Sequence, residues 1–307
     1  MNIKLILSIA TAVTLLFAYD RVNAQDDLSK LMEEQTRNTK SEPVIATFKT
    51  TRIINAQSIE TVKNRTLDFR VAHRFGPIGT TGGGKHTLYG FDASSDIRLA
   101  FEYGINDRLT IGLGRCKRFE TIQGLVKYRL LQQTSDGKMP LAVTLYADAG
   151  LMAEKDPDTR YDNYLHRFNY CTQALIARKY SSGLTFQLMP TWVHRNYVSF
   201  HDDENDLFSL GIGGRVKITK RSAIIFDYFQ TLSTFRDKSV TYSYSKPTYA
   251  PPIGLGWEVE TGGHVFAIMF SNAAGLMESD FIPNTTTTGN LLEDMRFSFS
   301  ISRNFPL

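Results

Sequence analysis

No run of about 20 apolar residues occurs anywhere in these 307 residues, so the chain offers no transmembrane helix. Its apolar stretch at 5–18, preceded by Lys4, is too short to span a bilayer comfortably and is followed by polar residues ending Val22-Asn23-Ala24. That is the layout of a secretory signal peptide cut after Ala24, and no cysteine follows the cut to take a lipid anchor. Charge of one sign is also missing: 35 Lys and Arg stand against 31 Asp and Glu, which gives no basic field for nucleic acid. Cysteine is nearly absent. Cys116 and Cys171 fall on strands three apart in order, and at ~4.8 Å per strand they lie beyond the ~7 Å reach of a disulfide, so free thiols are expected.

What the chain does have is alternation. At 295–307 Met295, Phe297, Phe299, Ile301, Phe305 and Leu307 share one parity, while Arg296, Ser298, Ser300, Ser302 and Asn304 share the other, with Arg303 the exception. Successive strand residues point to opposite faces, so this is a strand with one greasy and one wet side. The same unit recurs at 67–75, 97–103, 109–116, 121–131, 141–152, 168–180, 184–194, 208–218, 222–230, 253–260 and 264–271. About twelve strands result, most of them near the ~9–11 residues that a tilted strand needs to cross a bilayer. Short links at 105–107, 132–138, 181–183, 219–221 and 261–263 alternate with longer ones at 76–95, 153–167, 195–207, 231–251 and 272–294. Only the link near Arg118 breaks that order.

Short turns on one rim and long loops on the other are the layout of an outer-membrane barrel. Mean hydropathy of -0.22 does not exclude it, because only alternate residues face lipid. A soluble barrel or two-layer sheet is the competing reading. Against it stands the wet parity, which carries Asp68, Arg70, Arg74, Asp96, Arg98, Glu102, Lys127, Arg129, Asp148, Arg215, Lys217 and Asp227. Turned into a sandwich core these charges would be prohibitively costly unless paired, so they are expected to line a hydrated lumen. Tyr103, Tyr128, Tyr180, Trp192 and Trp257 on the other parity suggest an aromatic girdle. The fold class is therefore all-β, an antiparallel up-and-down transmembrane β-barrel, with 25–43 a mobile periplasmic N-terminus, 44–64 a plug or extra strand, and 65–307 the barrel.

Five stretches carry a resemblance. They are 51–58 (Thr-Arg-Ile-Ile-Asn-Ala-Gln-Ser), 67–76 (Leu-Asp-Phe-Arg-Val-Ala-His-Arg-Phe-Gly), 95–98 (Ser-Asp-Ile-Arg), 103–112 (Tyr-Gly-Ile-Asn-Asp-Arg-Leu-Thr-Ile-Gly) and 126–130 (Val-Lys-Tyr-Arg-Leu). Across nearly all of the mature chain the sequence resembles a Gram-negative exported family, a membrane-bound β-barrel domain of unknown function. The resemblance implies a barrel in the outer membrane and brings no established activity or binding residues.

No catalytic set, cofactor or metal is expected. His73 falls on the lipid-facing parity, as an interfacial histidine. His194, His201, Asp202, Asp203, Glu204 and Asp206 gather in one loop without the spacing of a calcium loop or a hydrolase, and read as a solvated charged loop. Gly79 to Lys85 lacks the context of a phosphate loop. The lumen charges alternate in sign along single strands, as in Asp68 with Arg70, which predicts a salt-bridged interior, narrow or partly filled, rather than an ion-selective ring. The expected function is thus a narrow porin-like channel or small-solute transporter, with a closed docking barrel as the alternative and a surface hydrolase as a third. Expected partners are outer-membrane lipid and lipopolysaccharide, the barrel-assembly machinery, and a small solute, with no nucleic acid. The terminal strand resembles the signal read at insertion, although the chain ends Phe305-Pro306-Leu307.

Overall fold

The computed structural model describes residues 41–79 and 82–307. The signal peptide and most of the expected mobile segment lie outside them. Residues 43–307 form one compact unit.

Twelve strands follow one another in order: β1 (Thr66–Pro77), β2 (Ser94–Gly104), β3 (Leu109–Cys116), β4 (Ile122–Leu131), β5 (Ala142–Leu151), β6 (Phe168–Lys179), β7 (Leu184–Arg195), β8 (Asp206–Lys217), β9 (Ser222–Leu232), β10 (Ile253–Thr261), β11 (His264–Ser271) and β12 (Arg296–Pro306). Each pairs antiparallel with its neighbours, and β1 pairs with β12 to close the barrel. The closing register sets Leu67 against Phe305, Val71 against Ile301 and Arg74 against Ser298. Closure leaves no strand edge open.

The strands keep the period of two that their sequence shows, interrupted by register shifts after Arg74 in β1 and after Arg129 in β4. Outward side chains stay apolar and uncovered: Leu113 is 66% exposed, Phe208 59% and Leu255 58%. A continuous apolar band of this kind calls for lipid around it. Aromatic rings gather at its edges. Tyr128 and Tyr180 are exposed at the short-turn rim. At the other rim His73, Phe75, Phe91, Phe297 and Phe299 stack with centroids 4.2 to 5.6 Å apart in successive pairs. His73 is therefore an outward ring in that girdle. Pro190 sits inside β7, where it cannot donate to the ladder, and the pairing with β6 breaks there, resuming at Ile176 with Leu188.

Two expectations are corrected here. Of the two alternatives for 44–64, a plug or an extra strand, the strand does not form; the segment is an irregular loop whose tip is pinned by the bridge between Arg52 and Gln57. The 272–294 link is not wholly external. It holds helices α1 (Glu278–Asn284) and α2 (Leu291–Asp294), and α1 is buried through Pro283. Residues 275–283 are thus folded inward. The physical reason is composition: Leu276, Met277, Phe281 and Ile282 are apolar and become buried.

Candidate functional site in the barrel lumen

The lumen is filled from both ends. From the short-turn rim comes a hairpin-like loop, 43–64. Its outgoing limb is held at Asn64 N–H, which donates to Asp107 Oδ1 at 2.9 Å, and at Thr61 Oγ1, which donates to Asp107 O at 2.8 Å. Its other limb leaves by the same rim, where Pro43 bridges Thr134 and Val44 N–H donates to Gln133 O at 2.8 Å.

The tip reaches the middle of the barrel and lands on Asp227. That carboxylate accepts from Ile54 N–H at 3.1 Å, Asn55 N–H at 2.7 Å, Ala56 N–H at 2.9 Å and the Asn55 side-chain amide at 2.8 Å. A tip with no strand partner has backbone N–H groups to satisfy, and a buried carboxylate with two oxygens takes them. Arg74 completes the node. Its guanidinium donates to Asn55 Oδ1 at 2.9 Å, Ser298 Oγ at 3.0 Å, Ala273 O at 3.2 Å and Gly275 O at 2.6 Å. One side chain thus ties β1, β12, the hairpin tip and the inward link together.

Hairpin and inward link also meet directly. Arg52 Nη2 stands 2.8 Å from Glu278 Oε1, with both side chains no more than 5% exposed. Asp96 Oδ2 accepts Leu276 N–H at 3.0 Å, and Arg118 pairs with Asp280 at 2.6 Å. The Asp280 carboxylate beside it holds the Arg118 guanidinium above its usual range.

The wall has two sides. On β1 to β5 it is polar: Lys127 Nζ donates to Thr51 O at 2.6 Å, and Arg98 donates to Gln123 Oε1 at 2.7 Å. Asp68 lies 3.7 Å from Arg70, Asp148 Oδ2 accepts from Gln123 at 2.9 Å, and Glu102 is buried among Lys127, Arg98 and Arg70. On β6 to β9 the inward face mixes polar groups with an apolar patch, in which Leu175, Met189, Val193, Leu207, Ile225 and Phe229 are all buried. Phe48, Ile53, Ile54 and Ile59 of the hairpin join that cluster. Gly213 and Gly254 give the room: a Cβ on Gly213 would sit 2.8 Å from Ile53 Cδ1, and one on Gly254 2.7 Å from Ile54 Cγ2.

Of the residues placed on the wet parity, ten are buried: Asp68, Arg70, Arg74, Asp96, Arg98, Glu102, Lys127, Asp148, Arg215 and Asp227. Arg129 is half-buried and 3.6 Å from Glu60 of the hairpin. Lys217 is exposed, because it ends β8 at the rim. The expected hydrated lumen is instead packed. Sequence reasoning overlooked Gln123, Gln187, Glu258, Arg52, Asn55 and Glu278. Glu258, which pairs with Arg215, sits on the inward parity of β10 and was legible by alternation; Glu278 lies in a link, where alternation says nothing.

The 194–206 loop is not simply solvated. Asp203 is buried and holds Arg195 at 3.0 Å and Arg236 at 2.6 Å, and Glu204 accepts from Ser233 at 2.6 Å. His194 meets Asp206 at 2.8 Å, apart from the exposed His201. Among the described residues no group of three His, Cys, Asp or Glu is arranged to hold a metal. Cys116 and Cys171 are free and buried, as their separation required.

A closed antiparallel barrel with an apolar outer band and a polar, filled interior defines a membrane β-barrel protein. The chain belongs to the family described as membrane bound beta barrel domain, whose model matches residues 48–305. No curated protein matches it. Among solved structures the chain is similar to the NanC porin, at 10% identity and TM-score 0.46, covering 78% of this chain and 100% of the porin. It is similar to the KdgM porin at 8% identity and TM-score 0.44, covering 78% and 99%. An outer membrane channel from Pseudomonas putida F1 follows at 12% identity and TM-score 0.46, covering 80% and 98%.

Proposed function

We propose that this chain is an outer-membrane channel or transporter for small solutes whose resting state is shut. In this reading 1–24 is the export signal, 25–43 the periplasmic N-terminus, 44–64 a removable plug and 65–307 the barrel. The observation that carries it is the attachment of the hairpin. It enters and leaves by one rim and is held by side chains such as Asp227, Arg74, Lys127 and Gln187, with no strand of the barrel built from it. It can therefore be withdrawn without breaking the sheet. The wet-parity residues would then line the path. No catalytic role is assigned to any residue. Outside the band, lipid and lipopolysaccharide are the natural partners, and the terminal strand would be what the barrel-assembly machinery reads.

Planar-bilayer recording tests this. The full chain is expected to conduct rarely and in short events. Breaking the buried Arg52 and Glu278 pair with Arg52→Ala removes one partner of an ion pair, a loss of about 3–5 kcal/mol. Open events should become at least tenfold more frequent. Silence from the full chain, from Arg52→Ala and from a chain lacking 43–62, each with intact heat-modifiable migration, would sink the channel. It would favour the second reading, a closed barrel that docks partners, which the filling of the lumen from both ends also suits.

A further inference from the structure

The barrel wall meets much of the hairpin through its main chain. Lys127 Nζ donates to Thr51 O at 2.6 Å and to Ser58 O at 3.3 Å, Thr185 Oγ1 to Thr47 O at 3.1 Å, and Thr144 Oγ1 to Ile59 O at 2.8 Å. Thr110 Oγ1 accepts Val62 N–H at 2.9 Å, and Asp227 accepts the N–H groups of three successive residues, 54 to 56. Gln187 does both. Its Nε2 donates to Gln57 O at 2.7 Å, and its Oε1 accepts Ile59 N–H at 2.8 Å. These six side chains are all buried and are spread over the wall from β3 to β9.

Main-chain N–H and C=O groups are common to every residue but proline, so such contacts carry little preference for sequence. Gln187 shows the pattern best. It spans the C=O of one residue and the N–H of the residue two further on, a couple that any extended peptide presents on one side. The hairpin's own side chains are held by charge instead: Arg52 by Glu278 at 2.8 Å, Lys49 by Glu260 at 2.6 Å and Glu60 by Arg129 at 3.6 Å. One set of contacts recognises this hairpin, and the other recognises peptide.

Withdrawal of the hairpin takes its ion pairs away and leaves the six side chains around a space of the hairpin's own volume. Donors and acceptors stripped of their partners there are costly. Water restores them at an entropic cost for each molecule held, whereas one extended peptide meets several at once. On the channel reading of this barrel, on which the inference rests, we propose that its solute is a short extended peptide that takes the hairpin's place on these side chains. Without the hairpin's ion pairs the peptide is held more weakly than the hairpin, which lets it leave again, as passage requires.

The test is planar-bilayer recording of Arg52→Ala, in which the hairpin has lost one ion pair and all six wall side chains are intact. N-acetyl pentaalanine dimethylamide is the probe. Its analogue methylated at every backbone nitrogen, which keeps the carbonyls and lacks every N–H, is one control, and maltotriose is the other. The probe is expected to interrupt the open current in roughly the millimolar range, and the methylated analogue to do so for times about tenfold shorter. Gln187→Leu, added to Arg52→Ala, should shorten the probe's interruptions about tenfold. It should also make opening more frequent, because the hairpin loses the same two bonds. Were Gln187 only a holder of the hairpin, opening would change while the interruptions kept their length, and the peptide site would be overturned. Interruptions of equal length from the probe and its methylated analogue, or longer ones from maltotriose, would overturn it as well. Open events that the probe leaves uninterrupted remove the peptide and leave the channel standing. Silence from every chain, with heat-modifiable migration intact, removes the channel and the peptide with it.

Discussion

At the scale of single residues, Asp227 decides where the hairpin tip rests. It receives three backbone N–H groups and one side-chain amide. Asp227→Ala leaves those donors buried and unpaired, a loss of about 3–5 kcal/mol confined to the hairpin. Amide exchange at 54–56 should rise by at least a hundredfold while the strand amides stay protected; unchanged exchange at 54–56 would show that the tip is held elsewhere. Asp202 illustrates a weaker, exposed contact. The Tyr244 hydroxyl donates to its Oδ2 at 2.7 Å and, with His201, holds the carboxyl below the usual range. Withdrawal from water and that same bond push the Tyr244 phenol up to about 12. A depressed carboxylate stabilises above its unfolded value near 4, and its contribution is lost as pH falls through the folded one. The raised phenol contributes below about 10, and that is lost as pH rises through the folded value. Tyr244→Phe should move the Asp202 midpoint upward in an NMR titration, and an unmoved midpoint would refute the contact.

At the scale of elements, β12 carries the closure. It pairs with β11 along eight residues, from His264 with Arg303 to Ser271 with Arg296, and with β1 on its other side. Removing 296–307 exposes two ladder edges at once, which a bilayer does not tolerate. The truncated chain should lose heat-modifiable migration altogether, and a barrel that survives truncation would disprove the closing role. The strands were legible because each needs only a period of two. The β3 and β11 boundaries coincide with the alternating stretches read from sequence, and the others differ by one to three residues at an end. The 44–64 segment was legible only as a plug or an extra strand, because local pattern cannot distinguish a strand from a chain that finds its hydrogen bonds on side chains across the lumen.

At the scale of the whole molecule, the interior is a composite of three pieces of chain distant in sequence: the wall, the hairpin and the inward link. Arg52 and Glu278 are 226 positions apart and meet as one buried pair. Arg74 and Ser298 are 224 apart. The interleaved charges did announce a salt-bridged, partly filled lumen. Their partners were not announced, because a strand's alternation fixes which way a side chain points and not what comes to meet it.

The sequence by itself determined the barrel. A run of twelve two-faced strands, joined by links of alternating length, has one way to hide every backbone group from lipid, and that is closure. It also determined which side chains turn inward. Tertiary structure decided what they do there. Whether the inward charges face water, an N-terminal hairpin or a link folded down from the opposite rim depends on contacts between residues up to 226 positions apart. Those contacts are chosen by the volume of the lumen and the need to pair buried charge. The packed lumen exists only once all three pieces are in place.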